Sequence, residues 1–345
     1  MAHMIDTTTG RAAIAYAGQT PWHGLGQALT PGASIDTWTV EAGLAYDVEE
    51  SPVQYQALPS YGLGRIEGPI TKTWPARKVL HRSDTGAPLA VVSDAYKVVQ
   101  PAQVMDFFRE LVELGGFQLE TAGALSDGRR VWALASVGDA APVVDADLVK
   151  PYLLLGTSYD GTMATVAKFT AIRVVCNNTI TAAVGGYSNG RVIHGEREIN
   201  NGYLKSAVRV LHSERFDPGS VRLQLGIVAN AFEGFLVQSR QLAAAPMDQA
   251  AADEFVAELL RPYHTSARPV TESRAYVRIM QLFNGGAIGS ELPGVAGTRW
   301  AMLNAVTELV DHERGRSNNT RMESAWFGAG AALKARAVDL LAAIA

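Results

Sequence analysis

Cys176 ends the apolar run Val174-Val175-Cys176 and is the single thiol in 345 residues. A cysteine nucleophile needs a histidine nearby to generate its thiolate. The seven histidines are scattered, and none forms a recognised Cys-His signature. Cys176 therefore reads as a small buried apolar residue. His194, His212, His264 and His312, with Asp311 and Glu313, are the candidate metal ligands. No H-x-x-x-H or H-E-x-x-H pair is present, and one cysteine excludes a disulfide framework and multi-cysteine zinc sites. No metal and no cofactor is expected.

Two glycine clusters invite a phosphate-loop reading. Pro21-Trp22-His23-Gly24-Leu25-Gly26 lacks the G-x-G-x-x-G spacing and precedes no convincing helix; it reads as a turn anchored by a buried tryptophan. Asn284-Gly285-Gly286-Ala287-Ile288-Gly289 lacks the Gly-Lys-Ser/Thr ending and reads as a loop between helices.

Charge offers a different chemistry. The net charge is -4, but residues 148–345 carry 20 basic and 17 acidic residues, against 10 and 17 in residues 1–147. The stretch from Lys150 to Arg222 is the richest, with nine basic and five acidic residues. A basic strip facing one way tracks a phosphate backbone; the plainer reading is a solvated surface of mixed sign. Tyr152, Tyr159, Phe169 and Tyr187 lie among these cations, and exposed aromatics beside cations suit single strands because any base stacks on a ring. Phe169 is expected in the core, and Tyr159, beside a turn, is the better candidate for exposure. Asn177-Asn178-Thr179 fits a helix cap or tight turn and also fits contacts to phosphate or sugar oxygens. The candidate nucleic-acid contacts are Tyr159, Lys168, Arg173, Asn177, Asn178, Arg191, Arg197, Lys205 and Arg209.

The elements that position these residues follow from periodicity. Residues 1–35 read as an arm with short turns, and 37–82 as short β pieces broken by Pro52, Pro59, Gly62, Gly64 and Pro75. Ala90–Ser93 and Tyr96–Gln100 read as β pieces. Pro101 opens a helix with the stripe Val104, Phe107, Phe108, Leu111 and Leu114, stopped by Gly115-Gly116. Two hairpins follow, Phe117–Leu125 with Arg129–Val137 and Tyr152–Thr157 with Thr162–Phe169. Ile172–Cys176 continues as strand or as the start of a helix. Gly185–Asn201 is the linker candidate. Beyond about residue 198 the period is 3.6, with helices expected at Leu204–His212, Val221–Leu242, Ala250–Leu260, Ser273–Phe283, Arg299–His312 and Ala325–Ala345. The fold class is α+β. A curved antiparallel β-sheet with a helix on one face fills the N-terminal half, and the C-terminal half is helical. The expected domains are 1–190 and 191–345.

Composition bounds the rest. With 48% apolar and 19% charged residues the chain can bury a core. No run of eighteen apolar residues occurs and MAHMIDTTTG lacks a secretory pattern, so a cytoplasmic, non-membrane protein is expected.

Several runs together resemble one family. They are the Pro21–Gly26 run; Val91-Val92-Ser93-Asp94-Ala95-Tyr96-Lys97-Val98-Val99-Gln100; Glu120–Gly123 with Gly128–Ala133; Asp160-Gly161-Thr162; Arg173-Val174-Val175-Cys176-Asn177-Asn178-Thr179; Asn304–His312; and Trp326-Phe327-Gly328. On these the chain resembles the phage/plasmid-like proteins, domain-of-unknown-function family 932. The resemblance implies genes carried on mobile elements, which often encode recombination, replication or defence. The strand–helix–hairpin–hairpin order with a basic stretch also looks like single-strand annealing proteins, although the acidic N-terminal half departs from them. The favoured expectation is a mobile-element-associated protein that binds and anneals single-stranded DNA, non-enzymatic and homo-oligomeric. One alternative is a metal-dependent hydrolase or nuclease using Asp160, Asp311, His312 and Glu323. The other is a structural or regulatory assembly protein with helices packed between subunits.

Overall fold

The computed structural model describes residues 5–18, 25–57, 69–175, 178–180, 207–224, 229–315, 321, 324–326 and 328–343. The N-terminal arm forms β1 (Ile14–Ala17), β2 (Gln27–Leu29) and α1 (Ile35–Glu41). A ribbon of β3 (Val48–Ala57) and β4 (Ile70–Arg82) follows, and β5 (Pro88–Ser93) adds a third strand at its base. Helix α2 (Pro101–Gly115) leads into β6 (Gln118–Leu125), β7 (Arg130–Ser136), β8 (Ala141–Val144), β9 (Asp147–Ser158) and β10 (Thr165–Arg173). Strands β11 (Asn178–Ile180) and β12 (Ala207–Val210) are short. The helices after them are α3 (Pro218–Gln224), α4 (Ala229–Ala244), α5 (Gln249–Leu260), α6 (Arg274–Gln281), α7 (Arg299–Glu308) and α8 (Ala329–Ala343).

Both expected hairpins are present. At the first, Ser126, Asp127 and Gly128 take φ of 55°, 59° and 84°, the left-handed backbone that reverses a strand in a short turn. The main sheet runs β11-β10-β9-β7-β6-β1-β2, antiparallel except where β1 and β2 pair in parallel. The outer edge of β10 is shared: β12 covers Thr165–Lys168 and β11 covers Ala171–Arg173. That edge explains one difference from the periodicity. A helix is expected over 204–212, yet Ala207–Val210 is a strand, because pairing with β10 satisfies backbone groups that a short isolated helix would leave frayed.

Helix α2 covers one sheet face. Val104, Phe107, Phe108 and Leu111 are buried against Ala122, Ala124, Ala133 and Ala135, whose small side chains let the helix approach closely. Each such burial stabilises the fold by roughly 1.5–3 kcal/mol for the large side chains. Gly116 ends α2 with φ 70°. The opposite face buries Trp132, Leu134, Tyr152 and Leu154 with Ile14 and Leu125. Trp326 meets Trp132 edge-on, with ring centroids 5.2 Å apart. A third cluster, centred on α7, joins the helices to Val143, Val149 and Ala171 of the sheet. Every residue of α7 from Trp300 to Glu308 is buried.

Three further differences concern the first hundred residues. Helix α1 was not expected; Ser34 caps it by accepting from Thr37 N, and Trp38 anchors it. The β pieces over 37–82 are one long ribbon, because Pro52 and Pro75 sit at a bulge between Pro52 and Val53 where a missing N–H costs no ladder bond. Tyr96–Gln100 is not a strand. There the Gln100 side chain stands in for one: its amide accepts from Val48 N at 2.8 Å and donates to Val48 O at 3.0 Å. In the C-terminal half, α3 and α4 both overlap the helical run expected over 221–242, and the Gly285 cluster lies in the turn and loop between α6 and α7, where Gly285 takes φ 105°. No helix of the described residues is long and apolar enough to cross a membrane.

Candidate nucleic-acid interface

The structure places three of the nine expected contacts in the interior. Tyr159 is fully buried, although it adjoins the turn Asp160-Gly161; the tip is formed by the residues after it. Its hydroxyl lies among Tyr46, Tyr96 and Arg82 and has no hydrogen-bond partner among the described residues. Burial raises its pKa well above the usual value. No base can stack on this ring in the folded chain. Lys168 is buried at the junction with the helical half, where its ammonium donates to Trp326 O. Burial pushes its pKa down to about 7, with Lys334 adding to the shift and Asp311 opposing it.

Arg173 is buried at the end of β10. Its Nε donates to Asp147 Oδ1 at 2.7 Å, and its two terminal nitrogens donate to Ile288 O at 2.8 Å and Gly289 O at 2.9 Å. Trp300 Nε1 also donates to Asp147, at 2.7 Å. This arginine locks sheet to helices and presents no donor to a phosphate. Asn178 and Arg209 fall on the edge strands β11 and β12. Asn177, Arg191, Arg197 and Lys205 lie outside the described residues, as do Cys176 and the linker candidate.

The residues of the hydrolase alternative have separate partners. Asp160 accepts from Thr162 N in a local turn. Asp311 accepts from the buried Lys334 ammonium at 2.7 Å. Glu323 lies outside the described residues. Among the described residues no three His, Cys, Asp or Glu side chains come together in a metal-holding group. Asp311 and His312 belong to a π-helical turn, Leu309–Glu313, continuing α7.

The exposed aromatics lie elsewhere, on the ribbon. Register places Val53 opposite Trp74, Tyr55 opposite Lys72 and Ala57 opposite Ile70 on one face; Gln54 with Thr73 and Gln56 with Thr71 form the other. Tyr55 is 50% exposed and Trp74 47%. The Arg77 guanidinium carbon sits 5.5 Å from the Trp74 ring centroid. Residues 51–57 and 69–78 hold Lys72, Arg77 and Lys78 and no acidic residue, within an N-terminal stretch that is acidic overall. Neither sheet nor helix covers this face among the described residues. β pieces are expected over this stretch, but its aromatics are not among the expected contacts, because the alternation of Val53, Tyr55 and Ala57 marks a strand without showing which face stays uncovered. The lack of acidic residues over 51–57 and 69–78 was the available signal.

Regions 88–202 and 198–326 match the model of a family described as "Domain of unknown function (DUF932)". The match takes in more than half of the chain. The chain belongs to the DUF932 family. No curated protein and no solved structure matches it. The DUF932 regions contain α2, the hairpins from β6 to β10 and the helices through α7, and with them the Arg173 lock. The ribbon strands β3 and β4 precede the matched regions.

Proposed function

We propose that this DUF932 protein is a non-enzymatic nucleic-acid-binding protein that takes single strands on the β3–β4 ribbon. The observation that carries the reading is the half-exposed pair Tyr55 and Trp74 on one ribbon face, with Lys72 across from Tyr55 and Arg77 beside Trp74. Rings of this kind stack on bases without regard to sequence, and the adjoining cations meet the backbone. Annealing in recombination, in the mobile-element setting that the family resemblance implies, belongs to the same proposal, as does a homo-oligomer in the cytoplasm.

The test is fluorescence anisotropy of labelled single- and double-stranded DNA across a salt series. Expected is a preference for single strands and an affinity that falls steeply as salt rises. Absence of binding to any oligonucleotide at low salt defeats the proposal.

A further inference from the structure

A cleft of about 460 Å³ opens at the root of the ribbon, between β3–β4, the segment leading into α2, and the loop after β12. It is large enough for a small ligand. Its floor includes the buried Tyr96 and Phe216. Its charged groups are Lys78, Lys97, Arg215 and Glu50. The fold builds this cluster from three distant parts of the chain. Lys97 N donates to His212 O, and the His212 ring stacks on Tyr96 with centroids 4.2 Å apart, which holds the Arg215 loop against the Lys97 segment. The Lys78 ammonium is set at the back, donating to Glu50 Oε1 and to Tyr96 O, each at 2.9 Å. Lys97 and Arg215 are exposed, and neither head group has a partner among the described residues. The start of α2, at Gln100 and Gln103, also lines the cleft and adds the positive end of that helix.

The charge of the cleft selects its ligand. Three cations against one carboxylate leave two net positive charges. A phosphodiester link brings one negative charge, whereas a phosphomonoester brings about -1.5 to -2 near neutral pH. Arg215 supplies a planar donor fork, and the two lysines supply point charges. We propose that this cleft binds a phosphomonoester, the dianionic phosphate of a mononucleotide or of a phosphorylated nucleic-acid end. This site is separate from the stacking face of the ribbon and stands without it.

The experiment has two arms, both run on the full chain and on a Lys97→Ala/Arg215→Ala variant. Both substituted side chains are exposed, and a melting curve checks that the variant is folded. In the first arm, calorimetry compares adenosine 5′-monophosphate with adenosine. In the second, anisotropy compares oligonucleotides carrying a terminal phosphate with the same strands ending in hydroxyl. Each lost charged contact is expected to weaken phosphate binding about tenfold. A phosphate-dependent gain in either arm, lost in the variant, supports the site and identifies its source as free nucleotide or strand end. Equal binding of phosphorylated and unphosphorylated probes in both arms, or an unchanged gain in the variant, overturns it. Hydroxyl-ended strands report on the ribbon alone. Their failure to bind beside a retained nucleotide signal would remove the ribbon reading and leave the cleft.

Discussion

Arg173 and Asp147 form an ion pair in which neither side chain reaches solvent, and Trp300 of α7 completes the shell of the carboxylate. The pair closes the seam between the sheet and the helical half. A buried pair adds little net stability over an apolar replacement, but removing one member strands a charge. Asp147→Asn should therefore lower unfolding stability by about 3–5 kcal/mol. Urea denaturation checks this. Were Arg173 a phosphate contact, freeing it would strengthen DNA binding; the expected result is lost stability with an unchanged salt slope for the folded fraction.

Lys168 carries a pH dependence of definite sign. Burial holds its folded pKa near 7, far below the ordinary lysine value of 10.5. Between these limits the unfolded chain binds a proton that the native chain does not, so this group makes stability rise with pH from about 7 to 10.5. The contribution approaches about 1.4 kcal/mol per pH unit in mid-window. Lys168→Met should remove that rise and leave stability at pH 7 equal or greater, because the methionine fills similar space without a charge to desolvate. Denaturation of both proteins at pH 7, 8.5 and 10 measures the difference. Parallel curves would refute the assignment.

The fold was legible where local chemistry and tertiary pairing agree. Ser126-Asp127-Gly128 and Asp160-Gly161 mark turns by residue type alone, and Pro101 with Gly116 brackets α2. The site residues were legible only as types. Lys168 and Arg173 look alike in sequence, as cations in a β-rich run, and a solvated cation looks the same. Their burial depends on Trp326, Ile288 and Gly289, more than a hundred residues away. Trp74 and Tyr55 were not singled out in the sequence, because exposure of a strand face depends on what packs over it, and no local pattern encodes that.

His212 sets a second pH window, on the acid side. Its Nδ1 lies 3.1 Å from Lys97 O and its Nε2 3.0 Å from Met163 O. Burial lowers its pKa below 6.5, and the two carbonyls with Asp160 oppose that shift without cancelling it. The native ring stays neutral while the unfolded chain takes up a proton, so stability contributed by this group is present above pH 6.5 and lost as pH falls through it. The histidine is also the clasp between the Lys97 and Arg215 segments. His212→Phe should keep the stack on Tyr96, lose the one hydrogen bond that the neutral ring donates to a backbone carbonyl, and flatten the fall in melting temperature between pH 7 and 5. Wild-type and variant melts with the same slope over that range would count against it.

The ribbon makes the sharpest separation between binding and stability. Tyr55 and Trp74 are half exposed and belong to none of the three buried clusters, so Tyr55→Ala and Trp74→Ala should leave the melting temperature nearly unchanged. If bases stack on these rings, each change should weaken single-strand affinity roughly 5- to 150-fold, the equivalent of about 1–3 kcal/mol per stacked base. Lys72→Ala acts on a different quantity. Removing one phosphate contact should reduce the slope of log affinity against log salt by about 0.7 for single strands, with a smaller loss at low salt than either aromatic change. Arg77→Ala combines the two effects, because this guanidinium lies beside the Trp74 ring and carries charge. Anisotropy titrations of the four variants at three salt concentrations separate stacking from charge. Four variants that bind as the wild type does would mean that the ribbon face serves another purpose.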